Sequence, residues 1–335
     1  MANPVLVEVT RGELVESVHR GAVAILDADG SVVLALGDTE TPVYSRSSLK
    51  PMQAMTLVES GAAAAFGLGD EEVALACASH SGEPMHTERV AGWLARLGLN
   101  ESDLACGAHA SRYEPLATQM IRRGEIPTRI FNNCSGKHAG FLTVARHWDI
   151  ATKGYEQIGH PVQQAVAATL RELSDAPELP FGIDGCAAPN FATSLGGFAL
   201  AAARMAAPAK LPKERAAAAR RIIAAMLAHP ALVSGTGRTC AILMRASGGG
   251  AAVKAGAEGF YAGWIPGRGL GIAIKIDDGA GRAAETVIAA ILDKLDLLGS
   301  DAPARSILRA SITNTRGATV GERRPAAALV NLRLN

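Results

Sequence analysis

Residues 21–37 read GAVAILDADGSVVLALG. Two runs rich in Val, Ile and Leu flank Asp29-Gly30. An Asp-Gly pair between such runs is a strong hairpin signal, because these residue types accept the positive φ that a tight turn needs. Further along, 44–60 reads YSRSSLKPMQAMTLVES. Met52, Met55, Thr56 and Ser60 fall at helical spacing, and Pro51 is tolerated only in a first turn, so a helix is predicted from about Ser47 or Ser48. Segments 86–97, 137–148, 162–174, 193–206 and 213–228 carry helix formers with apolar residues three or four apart. Segments 239–245, 251–255, 258–264 and 270–276 read as short strands, with Gly248-Gly249-Gly250 turning between the first two. Segment 282–299 is an amphipathic helix stopped by Gly299. A last strand is expected near 328–333.

Strands, a helical middle, strands and then a helix predict an α+β fold. An antiparallel sheet is flanked by helices, and a mainly helical portion is inserted, with a cleft at the junction. Residues 1–335 are expected to form a single catalytic unit. Roughly 1–45 and 235–335 make its sheet-containing part, and roughly 46–234 its mainly helical part. No repeat and no low-complexity linker divides the chain.

The 335 residues are 48% hydrophobic, 19% charged and only 4% aromatic, with 36 glycines. These are globular values, for a core that packs small residues closely. Net charge is +1, and no Lys/Arg block appears. That balance argues against nucleic acid and against an anionic membrane surface as partners. The N-terminus lacks a basic start and a long apolar run, and no stretch reaches the roughly 18 apolar residues of a spanning helix. A cytoplasmic location is expected. Five cysteines at irregular spacing (Cys77, Cys106, Cys134, Cys186 and Cys240) speak against a disulfide framework.

Five clusters could carry chemistry. Ser47-Ser48-Leu49-Lys50 puts a serine and a lysine three residues apart on one helix face, where a neutral amine could take the serine proton. The bland alternative is a helix cap followed by a solvated lysine. Ser79-His80-Ser81-Gly82-Glu83 follows an apolar run and suits either a cleft wall or an ordinary N-cap turn. Asn132-Asn133-Cys134-Ser135-Gly136-Lys137-His138 is unusually dense in functional groups. It pairs Cys134 with Lys137 and with His138 at helical spacing, unless it is a cap with a packed cysteine. Asp184 and Cys186 would share a face in an extended segment. Cys134, Cys186, His138 and Asp184 could then hold zinc, against the alternative of two structural cysteines. Lys254-Ala255-Gly256 lies in a strand region, as an inner lysine or as a surface one before a turn. In order, Ser-x-x-Lys, a loop serine and Lys-Ala-Gly parallel the penicillin-recognising enzymes.

Taken together, these blocks resemble the rhizobial-type (class 3) L-asparaginases. The similarity runs from Val5–Gly12 through Ser45–Pro51, Ala78–Glu83, Asn133–His138, Asp184–Cys186 and Lys254–Gly259 to Val320-Gly321-Glu322. It implies a fold like that of serine β-lactamases and glutaminases. It implies catalytic Ser47 paired with Lys50, and Ser79 paired with Lys254. It implies zinc on Cys134, Lys137 and Cys186, with Arg46, His138 and Asp184 near the substrate. L-asparagine is the implied substrate and a homodimer the implied state. The alternatives are a glutaminase or a β-lactam-recognising serine hydrolase. A non-catalytic zinc- or amino-acid-binding protein is a further one, against which intact Ser47, Lys50, Ser79 and Lys254 argue.

Overall fold

The computed structural model describes residues 2–334. The chain opens with strands β1 (Val5–Arg11), β2 (Leu14–Asp27), β3 (Val32–Leu36) and β4 (Val43–Tyr44). Helices α1 (Lys50–Glu59), α2 (Ala62–Ala65), α3 (Asp70–Ala76), α4 (Pro84–Arg96), α5 (Glu114–Arg123), α6 (Ser135–His147) and α7 (Pro161–Ser174) follow. Strands β5 (Phe181–Ile183) and β6 (Pro189–Thr193) lead to helices α8 (Leu195–Ala206), α9 (Lys213–Ala228), α10 (Pro230–Ser234) and α11 (Thr239–Ala246). Next come strands β7 (Ala252–Ala255), β8 (Phe260–Ile265) and β9 (Leu270–Ile276). Helices α12 (Gly281–Lys294) and α13 (Ala302–Leu308), strands β10 (Ala310–Thr313) and β11 (Thr319–Pro325), and the short helix α14 (Ala327–Val330) close the chain. The architecture is α+β, with the antiparallel sheet and flanking helices that the sequence predicts.

Two compact units emerge. The sheet unit holds residues 1–48, 192–207 and 242–335; the helical unit holds 49–191 and 208–241. In the sheet unit the strand order is β10-β11-β1-β2-β9-β8-β7, with β3 also on β2, and every pairing is antiparallel. Strand β2 is the hub because it changes partner along its length. Its first half pairs with β1, as Val18 does with Glu8, and its second half, Gly21 to Asp27, pairs with β9. The Asp29-Gly30 turn joins β2 to β3 as predicted, with Gly30 at φ 88°. Burial follows that switch: Ala22 to Leu26 are buried while Leu14, Val15 and Val18 are exposed. Helix α8 lies against β2 and β9 through alanines (Ala199, Ala202, Ala203) that are fully buried. Helix α12 presses Val287, Ile288 and Ile291 onto the same core.

In the helical unit α1 packs against α6, α7 and α9, and α3 against α6 and α9. Lys50 to Leu57 of α1 are all buried. A helix buried on every side needs a partner for each polar atom it carries, which is why the lysine at its start matters.

Two segments depart from expectation. Residues 239–245 fall within helix α11 and are not a strand; Cys240, Ala241, Leu243 and Met244 are buried at the i, i+1, i+3, i+4 spacing of a helix. The glycines 248–250 therefore link α11 to β7. The strand expected near 328–333 is the single helical turn α14. Segment 282–299 is helical only to Lys294. Among the described residues, no helix is long and apolar enough to cross a membrane.

Candidate active site

In the helical unit the chemistry-bearing side chains gather around Lys50. Pro51 sits at the start of α1 as predicted, and Lys50 is the first helical residue, 2% exposed. Its Nζ donates to the Ala78 carbonyl at 2.6 Å and to the Asn133 carbonyl at 3.4 Å, and lies 3.0 Å from Ser79 Oγ. Carbonyl oxygens accept only. The Ser79 hydroxyl is therefore the one partner of the three that can pass a proton to a neutral Nζ.

Ser79 is held in place by its main chain. Helix α3 ends at Ala76, and Ser79 N donates to Val233 O at 2.9 Å while His80 N donates to Asn133 O at 3.3 Å. The next residues are locked by a buried carboxylate. Glu83 Oε1 accepts from Ser81 Oγ at 2.5 Å and from Thr236 N at 2.9 Å, and Oε2 accepts from Thr236 Oγ1 at 2.6 Å. Burial opposes the Glu83 charge, but the hydrogen bonds from Ser81 and Thr236 outweigh it and hold the carboxyl below its ordinary value.

The two histidines of this turn are structural. Gly82 N donates to His80 Nδ1 and Glu83 N to His86 Nδ1, so each ring carries its proton on Nε2. Those protons face Ser135 Oγ at 2.9 Å and Ala231 O at 3.0 Å. The rings stack 5.0 Å apart at 11°. Burial pushes both pKa values down; the charges of His86 and Lys50 add to it at His80, while the Ala231 hydrogen bond and the Glu83 carboxylate oppose it only in part at His86.

The Asn132–His138 block lies in the same unit. Asn132 Oδ1 accepts from Cys134 N at 2.9 Å, and α6 begins at Ser135. Cys134, Lys137, His138 and Cys186 are 5%, 5%, 0% and 4% exposed. Lys137 Nζ donates to Cys186 Sγ at 3.0 Å. A hydrogen bond from Cys134 lowers the Cys186 pKa strongly against its burial, with Lys137 and His138 adding to the effect. The same bond and burial raise the Cys134 thiol. Lys137 is desolvated, yet the Cys186 thiolate to which it donates holds its pKa above the usual lysine value. One thiolate therefore gathers a thiol and an ammonium.

Asp184 faces Lys137 electrostatically but is not in a strand. Strand β5 ends at Ile183; Asp184 N donates to Ala188 O, Ala187 N to Asp184 O, and Ala187 sits at φ 71°. The extended segment expected to align Asp184 with Cys186 is this tight turn. Among the described residues, no three His, Cys, Asp or Glu side chains are arranged to hold a metal. The set Cys134, Cys186, His138 and Asp184 is thereby corrected. The donors that do converge, Cys134, Cys186 and Lys137, fit zinc, with two sulfurs and an amine whose proton a metal would displace. His138 is fully buried, and its Nε2 has no partner of ordinary hydrogen-bond geometry among the described residues; burial lowers its pKa, and the adjacent Cys186 sulfur opposes that shift. Its Nδ1 lies 2.7 Å from the Tyr155 hydroxyl, which also accepts from Ala105 N at 2.8 Å. No pattern in the sequence marked Tyr155.

The sheet unit carries the serine turn. Residues 46–49 form a single 3-10 turn, and Arg46 stands at φ 51°, a costly conformation for a non-glycine residue. Ser48 Oγ donates to Lys254 O at 2.7 Å, and Ser47, between Arg46 and Ser48, is half-buried. Gly256 is required here, because a Cβ would lie 2.5 Å from Ser45 O. Lys254 is 1% exposed, and its Nζ donates to Ala255 O at 2.9 Å. It is an inner lysine, and the Lys-Ala-Gly run brings β7 against the serine turn.

Residues 7–325 match the L-asparaginase II family. The chain belongs to that family. No curated protein matches it. Among solved structures, Mglu in its native form is similar at 14% identity and TM-score 0.49, over 84% of this chain and 66% of that one. Mglu in its glutamate form gives 14% and 0.42, over 84% and 62%. A beta-lactamase from Mycobacterium bovis gives 14% and 0.33, over 86% and 93%. The chain spans just under two thirds of the length of these Mglu chains. At such scores the assignment rests on the family match and not on the superpositions. All five cysteines of this asparaginase-family chain are buried and none forms a disulfide among the described residues, and burial pushes the Cys106 thiol up to about 12.

Proposed function

We propose that the chain is an amidohydrolase that converts L-asparagine to L-aspartate and ammonia. The observation that carries this is the buried Lys50 amine, with two carbonyls and the Ser79 hydroxyl as its partners, in a chain of the L-asparaginase II family. Ser47 Oγ attacks the side-chain amide carbon, and Lys50 Nζ takes its proton. The proton is passed through Lys50, Ser79 and Lys254 to the leaving nitrogen, and ammonia departs as the C–N bond breaks. Water then adds to the Ser47 ester, and aspartate leaves as the serine regains its proton. Arg46, His138 and Asp184 hold the zwitterionic substrate.

Zinc bound by Cys134, Lys137 and Cys186 would supply fixed positive charge that organises the pocket. Serine supplies the nucleophile, so Lys137 and the two cysteines act on substrate placement. The working state is a homodimer in the cytoplasm, on the family resemblance, and light scattering of the purified chain tests the dimer.

The substrate is tested by ammonia release from L-asparagine and L-glutamine, beside hydrolysis of a chromogenic β-lactam. One methylene separates the two amides, so a preference for asparagine of about 10- to 200-fold is expected, with some glutamine turnover. β-Lactam hydrolysis without ammonia release from either amide would overturn the proposal.

A further inference from the structure

Away from the groups given to the reaction, the helical unit carries an open cleft of about 420 Å³, where α7 and α9 pack against α1. That volume lies in the range of small-molecule sites. Its lining grades from buried to exposed. Thr56 of α1 is 2% exposed. Glu59 of α1, Arg215 of α9 and Trp148 are half-buried, and Glu172 of α7 and Glu214 of α9 are exposed. All of these residues belong to the helical unit.

Two independent features give the cleft a chemical preference. The first is the Thr56 hydroxyl. Its Oγ1 is shielded from solvent and has no hydrogen-bond partner among the described residues. A buried hydroxyl without a partner costs stability, and a ligand N–H that donates to its lone pairs recovers it. The second is charge. Three carboxylates line the cleft against the single guanidinium of Arg215, which leaves a net of two negative charges; Lys213, beside Glu214 in sequence, does not line it. Arg215 is already engaged through all three of its nitrogens. Nε and Nη2 donate to Glu59 at 2.9 and 3.1 Å, and Nη1 pairs with Glu172. It is therefore not open to an anion. Trp148 and Ala165 supply apolar lining, and an aromatic ring attracts a cation to its face.

We propose that this cleft binds a small organic cation, an alkylammonium that donates to Thr56 Oγ1, is neutralised by Glu59, Glu172 and Glu214, and lays its methylenes on Ala165 and Trp148. A dication suits the net charge. Thr56 lies six residues along α1 from Lys50, about 9 Å of helix rise. The ligand is therefore a second small molecule beside the amide substrate, and its binding does not depend on the amidohydrolase assignment.

The probe is 1,4-diaminobutane, titrated calorimetrically into the full chain at neutral pH and fixed ionic strength, with 1,4-butanediol as its uncharged counterpart. The wild type is expected to bind the diamine and not the diol. Thr56→Val removes the hydroxyl at nearly constant volume, and Ala165→Met fills the cleft without altering its charge. Each is expected to raise the Kd for the diamine about 10-fold or more. Thermal melting shows that the variants fold; where Thr56→Val does not, Ala165→Met decides, since Ala165 is only half-buried and a larger side chain there is tolerated. No binding of the diamine by the wild type overturns the site, as does equal binding of the diol. Unchanged binding of the diamine in the folded variants overturns it too, and would move the amine to exposed carboxylates elsewhere on the chain.

Discussion

Lys50 Nζ lies 3.0 Å from Ser79 Oγ with its other contacts on the Ala78 and Asn133 carbonyls, so the amine is bound by acceptors on two sides and by a hydroxyl on the third. This arrangement ties the start of α1 to the turn after α3 and to the loop before α6. Replacing Lys50 with Met keeps the side-chain length and leaves the Ala78 carbonyl without its donor, while the Asn133 carbonyl keeps the His80 main-chain N–H. A loss of about 1–3 kcal/mol is expected in chemical denaturation. Ammonia release should fall about 10²- to 10⁴-fold. Lys50→Arg should not restore it, because a guanidinium cannot give up its proton.

Glu83 predicts a pH dependence of stability. Its folded pKa lies below the ordinary 4.5, so its contribution is fully present above that value and is lost as pH falls through the folded one. At pH 7 Glu83→Gln should be less stable than wild type by about 1–3 kcal/mol, the worth of hydrogen bonds to a charged group. The gap should close as pH falls below 4.5. A gap that stays constant from pH 7 to pH 3 would show that the carboxylate charge plays no part.

Much of this was readable from the chain, and the rest was not for identifiable reasons. The β2–β3 hairpin and helices α4, α6, α7 and α9 follow from Asp29-Gly30 and from apolar residues at helical spacing. Residues 239–245 misread as a strand because a short apolar run fits either period. Strands β10 and β11 were missed because ASIT and TVGERRP are mostly polar and only partly buried. At the site, the Asn133–His138 block stood out by its density of functional groups before a helix, while the Ser79 block, after an apolar run, read equally as an ordinary cap turn. The turn at 184–187 did not stand out, since nothing in Asp-Gly-Cys-Ala announces a left-handed alanine at 187. Nor did the Glu83–Thr236 contact, which joins residues 153 apart and is made only by the packed fold.

Gly235 stands at φ 121°, and a Cβ there would lie 2.0 Å from Ser81 Oγ and 2.9 Å from Glu83 Oε1. Gly235→Ala must therefore strain its own backbone and push the Ser79–Glu83 turn. Destabilisation of about 1–3 kcal/mol is expected. Activity should drop through kcat more than KM, measured by steady-state ammonia release. Wild-type kinetics in this variant would mean that the turn is not held from the 235 side.

The thiol cluster predicts a metal content. Elemental analysis of the purified protein should find about one zinc per chain, given two sulfurs and one amine as donors. Cys186→Ser should lose it, and asparagine use should weaken more than thermal stability does. Zinc retained at the same stoichiometry in Cys186→Ser and Cys134→Ser would place the metal elsewhere or make it adventitious.

The central claim is that Ser47 carries the reaction. The most direct measurement is ammonia release from L-asparagine by wild type and by Ser47→Ala, with folding checked by thermal melting. Release by the wild type that vanishes in the variant is the expected result. Full activity in a folded Ser47→Ala protein contradicts it, and would move the nucleophile to Ser79, the hydroxyl beside Lys50.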